Sequence, residues 1–330
     1  MRDPRARFRF LVAALAAVGM LLTACGGGGT ADDAAEESGE TRVVTDDFGT
    51  QVTVPVAPER VVTTHFLLTM GALDLGLTPA GTAVWTPDNV PTDYAQSLAD
   101  VPVVTSQTAE PDLEQIAARE PDLILATSFN DEQVLSRFRE IAPTYVIEVS
   151  PGGANATTWY DRTAAIADVL GRTPENDRLA ADFAARTQEL EQSYAEQVAG
   201  RTVAVVSGFE DNNASVFSAT SGAGRILTDL GFTYSPQAEA VAGAEQSGIA
   251  SISFERIGSA VGDADVLFLG SDLQGRLSPF VTALQQTRLY QDLPAVQADR
   301  VGAFKPQVTG YTDANFLLDQ VEQTLQNAQG

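Results

Sequence analysis

Apolar residues along this chain gather in short runs, and the runs alternate with longer stretches of helical spacing. Arg60-Val61-Val62-Thr63-Thr64, Leu123-Ile124-Leu125-Ala126 and the segment 145–149 read as strands, with helices expected over 66–75, 112–119 and 131–141. Residues 80–84 and 101–104 are two further expected strands. Ahead of them, Arg42-Val43-Val44-Thr45 and Gln51-Val52-Thr53-Val54 flank Asp46-Asp47-Phe48-Gly49, a hairpin signal closed by Pro55 and Pro58. The alternation restarts at Thr202-Val203-Ala204-Val205-Val206, with a short strand at Val216-Phe217 and a helix over 224–230 stopped by Gly231. A short helix over 252–258, a strand at Val266-Leu267-Phe268-Leu269, a helix over 280–287, a strand over 301–304 and a helix over 315–326 complete the series. Short, wholly apolar strands alternating with helices imply parallel sheet covered on both faces.

Between the two series, residues 157–199 show no strand-like alternation and one break, Gly171-Arg172-Thr173-Pro174. Beyond it Leu179, Phe183, Leu190, Tyr194 and Val198 fall on one helical face. Thr173 suits the N-cap, Pro174 the first helical position, Glu175 the positive end of the helix dipole and Gly200 the stop. About 26 residues then make a rod of about 39 Å. The expected fold is α/β: two α/β lobes with central, mostly parallel sheets joined by a long rigid α-helix, and a ligand cleft between the lobes where strand ends converge. The expected boundaries are 43–156 for the N-terminal lobe, 157–200 for the linking helices and 201–330 for the C-terminal lobe.

The 330 residues are 44% hydrophobic and carry a formal charge of -24. Four of the 20 basic and one of the 44 acidic residues precede Cys25, leaving 16 against 43 in the remainder. A field of that sign repels nucleic acid and anionic headgroups, so nucleic-acid binding is excluded as an expectation. Residues 1–24 read as a signal peptide: Arg2, Arg5, Arg7 and Arg9, then an apolar run over 10–22 that is short for a membrane span. Leu22-Thr23-Ala24-Cys25 resembles the lipobox of bacterial lipoproteins, which makes Cys25 the lipidation site and residues 25–42 a flexible tether. The expected location is the extracytoplasmic face of a cell membrane, with contact through the lipid anchor only. With Cys25 the sole cysteine, disulfides and a thiol nucleophile are excluded.

Catalytic signatures are lacking: no Gly-x-Ser-x-Gly, no phosphate-binding Walker loop, no His-Glu-x-x-His. His65 is the single histidine, so neither a triad nor a multi-imidazole metal site has its parts, and no direct metal site is expected. The chain reads as a binding protein and not an enzyme, with no cofactor of its own. His65 follows the first strand, where a loop would face the cleft and offer one ligand contact.

Pro111-Asp112-Leu113-Glu114-Gln115-Ile116, followed by Pro121-Asp122-Leu123-Ile124-Leu125, resembles the substrate-binding lipoproteins of iron–siderophore ABC transporters, which include cobalamin and haem binders. Arg60-Val61-Val62, Leu75-Gly76-Leu77-Thr78-Pro79-Ala80-Gly81, Ile166-Ala167-Asp168-Val169-Leu170-Gly171, Ala264-Asp265-Val266-Leu267-Phe268 and Ala295 to Val301 extend the likeness in the right order. The resemblance implies a lipid-anchored monomer that captures a ferric siderophore and delivers it to an ABC permease/ATPase complex. It also implies a docking glutamate on each lobe. Ser251-Ile252-Ser253-Phe254-Glu255 makes Glu255 the C-lobe candidate, whereas the N-lobe position holds Met70, with Asp74 the nearby acid.

A pocket for such chelates needs cations for charge and aromatics for apolar surface with a polar tip. Arg225 in the turn Ser221-Gly222-Ala223-Gly224-Arg225, Arg276 in a Gly/Ser loop, Lys305 at a strand end, Trp85 and Tyr311 are the candidate contacts alongside His65. Trp159 and Tyr160 read as packing at the lobe junction. Cobalamin or haem is the alternative cargo, with His65 or Tyr311 as an axial ligand for haem. A surface lipoprotein enzyme or an adhesion module is the reading from a different class.

Overall fold

The computed structural model describes residues 39–106, 108, 110–149, 158–245 and 247–327. The expected signal peptide, Cys25 and most of the tether lie outside these residues. The description opens on a hairpin of β1 (Thr41–Thr45) and β2 (Gln51–Pro55). Its turn is held by Asp46, whose Oδ1 accepts from the backbone N–H of Phe48 and Thr50 at 3.0 and 2.8 Å, with Gly49 at φ 80°. That φ is one a side-chain-free residue adopts without strain.

Next come β3 (Val61–Thr63), α1 (Phe66–Asp74), α2 (Thr92–Leu98), α3 (Leu113–Ala117), β4 (Leu123–Thr127), α4 (Glu132–Ile141) and β5 (Thr144–Ile147). β3, β4 and β5 pair in parallel, in that order, and every residue in them is buried. Alternation sorts them onto two cores. Val61, Leu123 and Leu125 pack with Leu68 and Ile166, while Val62, Ile124 and Ala126 pack with Ile116 and Phe138. Asp112 and Asp131 cap α3 and α4 through their carboxylates.

Residues 80–84 and 101–104 are not strands. They make single bridges, Val62 to Gly81 and Thr82 to Val103. The ladder stops because Pro102 has no N–H to donate and the Val84 N–H goes to the Thr105 hydroxyl at 2.8 Å. Helix α2 lies in the stretch between them and was not expected.

The helical stretch comprises α5 (Trp159–Val169), α6 (Thr173–Ser193) and α7 (Ala195–Val198). Thr158 and Asp161 form a reciprocal capping box at the start of α5. The N-cap of α6 is Arg172, so Thr173 is already helical. The rod is also shorter than expected: α6 has 21 residues, about 32 Å. Tyr194, at φ -114° and ψ 14°, interrupts the helix before α7, and Gly200 in the left-handed region ends it. The apolar stripe is real, since Phe183, Leu190, Tyr194 and Val198 are all buried in one core, while Leu179 touches this core and that of β3 to β5.

The remaining elements are β6 (Thr202–Glu210), β7 (Asn213–Phe217), α8 (Gly222–Asp229), β8 (Thr233–Tyr234), α9 (Pro236–Ala242), β9 (Ile249–Ser253), α10 (Ile257–Val261), β10 (Val266–Gly270), α11 (Pro279–Gln285), α12 (Arg288–Gln291), α13 (Pro294–Gln297), β11 (Val301–Phe304) and α14 (Tyr311–Asn327). The sheet runs β11-β10-β6-β7-β9, with β8 beside β6. It is mixed: β6 pairs in parallel with β8 and β10, and β10 with β11, but β7 is antiparallel to both β6 and β9. The helix expected over 252–258 begins later, because Ile249 to Ser253 bury only Ala250 and Ile252. That period of two is a strand's. A 3-10 turn at Phe254–Arg256 then leads into α10.

Candidate functional site

The chain opens a cavity of about 420 Å³ where segments following strands of both larger sheets meet. His65, Phe66 and Leu67 follow β3, Val149 follows β5, Phe217 ends β7, and Pro306 to Thr309 follow β11. Helix α5 contributes Thr158, Trp159 and Arg162; Thr220 to Gly222 and Arg225 come from the start of α8. Crevices of this kind, beyond the carboxyl ends of parallel strands, are where α/β folds bind ligands, and the volume suits a small molecule. A second space of about 500 Å³ shares Pro306 and Gln307 with the first and extends past Asp88, Phe209, Asp272, Arg276 and Lys305.

Two of the expected contacts line the first cavity. His65 is the N-cap of α1, its Nδ1 accepting the Leu67 N–H at 3.3 Å. Burial first, and the charge of Arg162 second, hold its pKa below the ordinary 6.5, so the ring is neutral with its proton on Nε2. Arg225 is half-buried, and its Nε donates to the Thr220 carbonyl at 3.1 Å.

Arg276 and Lys305 line the second space, both engaged. Arg276 reaches Asp88 at 2.5 Å and Asp272 at 2.7 Å. Lys305 is buried, donates to Asp313 at 2.5 Å and lies 5.9 Å from the centroid of the Phe66 ring. Trp85 lines neither space; it packs half-buried against the cluster of Met70, Leu73, Val90 and Leu98. Tyr311 is buried with its ring edge-on to Trp159, 5.0 Å between centroids, and burial pushes its hydroxyl up to about 12. Trp159 and Tyr160 stack at 3.7 Å, with Phe183 against both; the two pack as expected, but Trp159 also lines the first cavity.

Three features were not legible. Arg162, 6% exposed, sits in the cavity wall with its Nη2 on the Thr309 carbonyl at 3.0 Å. Burial draws its pKa down to about 10, with Asp313 and Asp74 acting the other way, so it remains a cation at neutral pH. An arginine within a helical stretch gives no hint that it is buried. Phe129 and Phe209 stand more than half exposed at the ends of β4 and β6, Phe129 with its ring 5.4 Å from that of His65. Nothing in the sequence separates these exposed strand-end phenylalanines from buried ones.

Glu255 is exposed on the 3-10 turn. Asp74 is not available as a surface acid: it is 9% exposed, and its Oδ1 accepts from Tyr94 and the Thr312 hydroxyl, both at 2.6 Å. Met70 is likewise buried. Among the described residues no group of three or more His, Cys, Asp and Glu could hold a metal ion, and no helix is long and apolar enough to cross a membrane.

A family model described as "Periplasmic binding protein" matches residues 61–308. The Bacillus subtilis protein named "Probable siderophore-binding lipoprotein YfiY" is 28% identical over 312 residues, covering 92% of this chain and 93% of that one. The solved structure of the siderophore periplasmic binding protein from the fuscachelin gene cluster of Thermobifida fusca is 30% identical, with a TM-score of 0.71 over 83% of this chain and 98% of that one. Staphylococcus aureus SirA, solved with staphyloferrin B, shares the fold at 22% identity, a TM-score of 0.70, and coverage of 87% and 99%.

Proposed function

Because the chain belongs to the periplasmic binding protein family, we propose that it captures a ferric siderophore on the extracytoplasmic side of a membrane and delivers it to an ABC permease/ATPase complex. Members of the family bind substrates without catalysis, and the chain is not an enzyme. The observation that carries the reading is the cavity itself. It lies beyond strand ends of two separate sheets, holds neutral His65, apolar Phe66 and Val308 and the guanidinium of Arg225, and shares Gln307 with the larger space beside it. A chelate with polar or charged donor groups around iron and greasier arms needs that mixture. The names of the relatives, siderophore binders with lipoproteins among them, support both cargo and location.

In this reading residues 43–156 and 201–330 act as two lobes on the helical stretch 157–200, and the ligand sits between them. A helical link bends less readily than strand hinges, so closure is a small rotation. Arg225 and His65 meet the chelate in the first cavity, and Arg276 and Lys305 border its outer part. Trp85 and Tyr311 act through the walls they pack. Cys25 takes the lipid, and Glu255 meets the permease.

The test is a tryptophan-fluorescence titration of the full chain in detergent micelles with ferric hydroxamates, ferric catecholates, ferric citrate, iron-free chelators, haem and cobalamin. Sub-micromolar quenching by a ferric chelate, corrected for ligand absorbance, is the expected result. Binding of haem or cobalamin alone would replace the siderophore assignment, and silence across the panel would remove it.

A further inference from the structure

Three helices begin at the first cavity: α1 at His65 to Leu67, α5 at Thr158 to Arg162, and α8 at Ser221 to Arg225. Each helix N-terminus contributes roughly half a positive charge. Arg162 and Arg225 add two guanidiniums, and no aspartate or glutamate lines the cavity among the described residues. Asp313 and Asp74 act on Arg162 through their charge, but no hydrogen bond joins either to it among the described residues. Asp313 accepts from Lys305 and from Thr309, and Asp74 from Tyr94 and Thr312. Asp229, in the last turn of α8, offsets part of the Arg225 charge from outside the lining. His65 is neutral and leaves the balance unchanged. In a chain whose formal charge is -24, this interior has the opposite sign to the molecule that surrounds it.

Arg162 also has unspent bonding capacity. Its Nε is buried with no hydrogen-bond partner, and its Nη2 bond to Thr309 is the sole one recorded for its side chain among the described residues. A buried guanidinium without its complement of acceptors is costly unless something supplies them. Carboxylate or catecholate oxygens at the rim of an iron complex are such acceptors, and their planar pairs match the guanidinium fork. A neutral hydroxamate complex would leave the cation desolvated and under-bonded.

Building on the ferric-chelate reading, we propose that this cavity selects chelates of net negative charge and that Arg162 is a ligand-binding residue supplying the buried counter-charge, with Arg225 at the mouth. The experiment is calorimetric titration of the full chain in detergent micelles with a ferric tricatecholate complex, ferric citrate and a neutral ferric trihydroxamate. Wild type, Arg162→Met, Arg162→Lys and Arg225→Gln are compared, and thermal melts verify that each variant folds.

The expected result is about 100-fold tighter binding of anionic than of neutral chelates. Arg162→Met and Arg225→Gln each lower anionic affinity by about 10- to 100-fold and leave the neutral chelate unaffected. Arg162→Lys keeps the charge and retains the preference. If Arg162→Met does not fold, Arg225→Gln still tests the charge, and Arg162→Lys tests whether the guanidinium fork matters beyond it. A neutral chelate that binds as tightly as the anionic ones would overturn the proposal while leaving the chelate reading standing. Anion preference that survives Arg162→Met intact would overturn the role of Arg162. No binding by any ferric chelate would remove both readings together.

Discussion

Asp74 offers the sharpest test of how the interior is held together. It ends α1, yet its carboxylate is buried against the first turn of α14. Oδ1 accepts from the Tyr94 hydroxyl and the Thr312 hydroxyl at 2.6 Å each and from the Thr312 N–H at 3.3 Å, while Oδ2 has no partner. Burial raises its pKa above the ordinary 3.8, although the bonds from Thr312 and Tyr94 pull the other way. A hydrogen bond to a charged acceptor contributes about 1.5–3 kcal/mol, but desolvating the carboxylate costs several kcal/mol. Asp74→Ala loses the bonds, regains the desolvation cost and leaves a small void, a net loss of about 2–4 kcal/mol. At about 2 °C per kcal/mol that lowers Tm by about 4–8 °C.

Asp74→Asn keeps an acceptor at the Oδ1 position without the charge, so it should lie within about 1 kcal/mol of wild type near pH 5. The pH dependence has a definite sign. With a raised folded-state pKa, the stability that wild type gains from a protonated Asp74 is full below 3.8 and is lost as pH rises through the raised value. Asparagine has no such loss, so it should gain on wild type between acid and neutral pH. Differential scanning calorimetry of the three proteins from pH 4 to 8 measures this. A difference between Asn and wild type that is flat or narrows with pH would refute the reasoning, as would an asparagine variant as unstable as alanine.

Gly310→Ala should destabilise by about 1–3 kcal/mol, because an added Cβ would stand 2.0 Å from Asp74 Oδ2. Combining it with Asp74→Ala should recover much of that loss in a double-mutant cycle followed by urea unfolding. Phe183→Ala should cost about 3–5 kcal/mol in the same assay, since its ring meets those of Trp159, Tyr160 and Tyr311; a cost below about 1 kcal/mol would mean this aromatic cluster is not a packed core. Glu255→Ala should leave ligand affinity unchanged and slow uptake by the reconstituted transporter, and an equal fall in affinity would argue against a docking role.

Strands buried on both faces were the easiest elements to read, because Leu123 to Ala126 and Leu267 to Leu269 are apolar without interruption. The long helix was also legible from its stripe and its proline. What stayed hidden depended on pairing partners. Ile249 to Ser253 has a strand's period of two, but it is short and adjoins the helical Phe254 to Val261, and the helix expected over 252–258 takes in its last two residues. The extended segments near Gly81 and Val103 carried strand-like residues, yet a proline and a side-chain acceptor cut their ladders to single rungs. The site divided in the same way. His65 and Arg225 follow a strand or open a helix, so position alone brought them to the cavity wall. Tyr311 and Lys305 sit at equally suggestive places, but Tyr311 packs on Trp159 from a distant segment, and Lys305 is taken up by Asp313 only because the turn before α14 folds that acid back onto it. Arg162 lay beyond reach because burial of a helical arginine is decided by what packs over it.

The caps on the three helices around the cavity have a consequence for breadth of recognition. Leu67, Asp161 and Gly224 already donate their N–H groups to His65, Thr158 and Ser221, so part of each first turn is occupied from within. What those helices extend toward a guest is chiefly potential, which has a sign but little direction. A receptor built on potential discriminates by charge and bulk and forgives differences in outline. Iron complexes of one sign and similar size, though unlike in skeleton, should therefore compete for it on nearly equal terms.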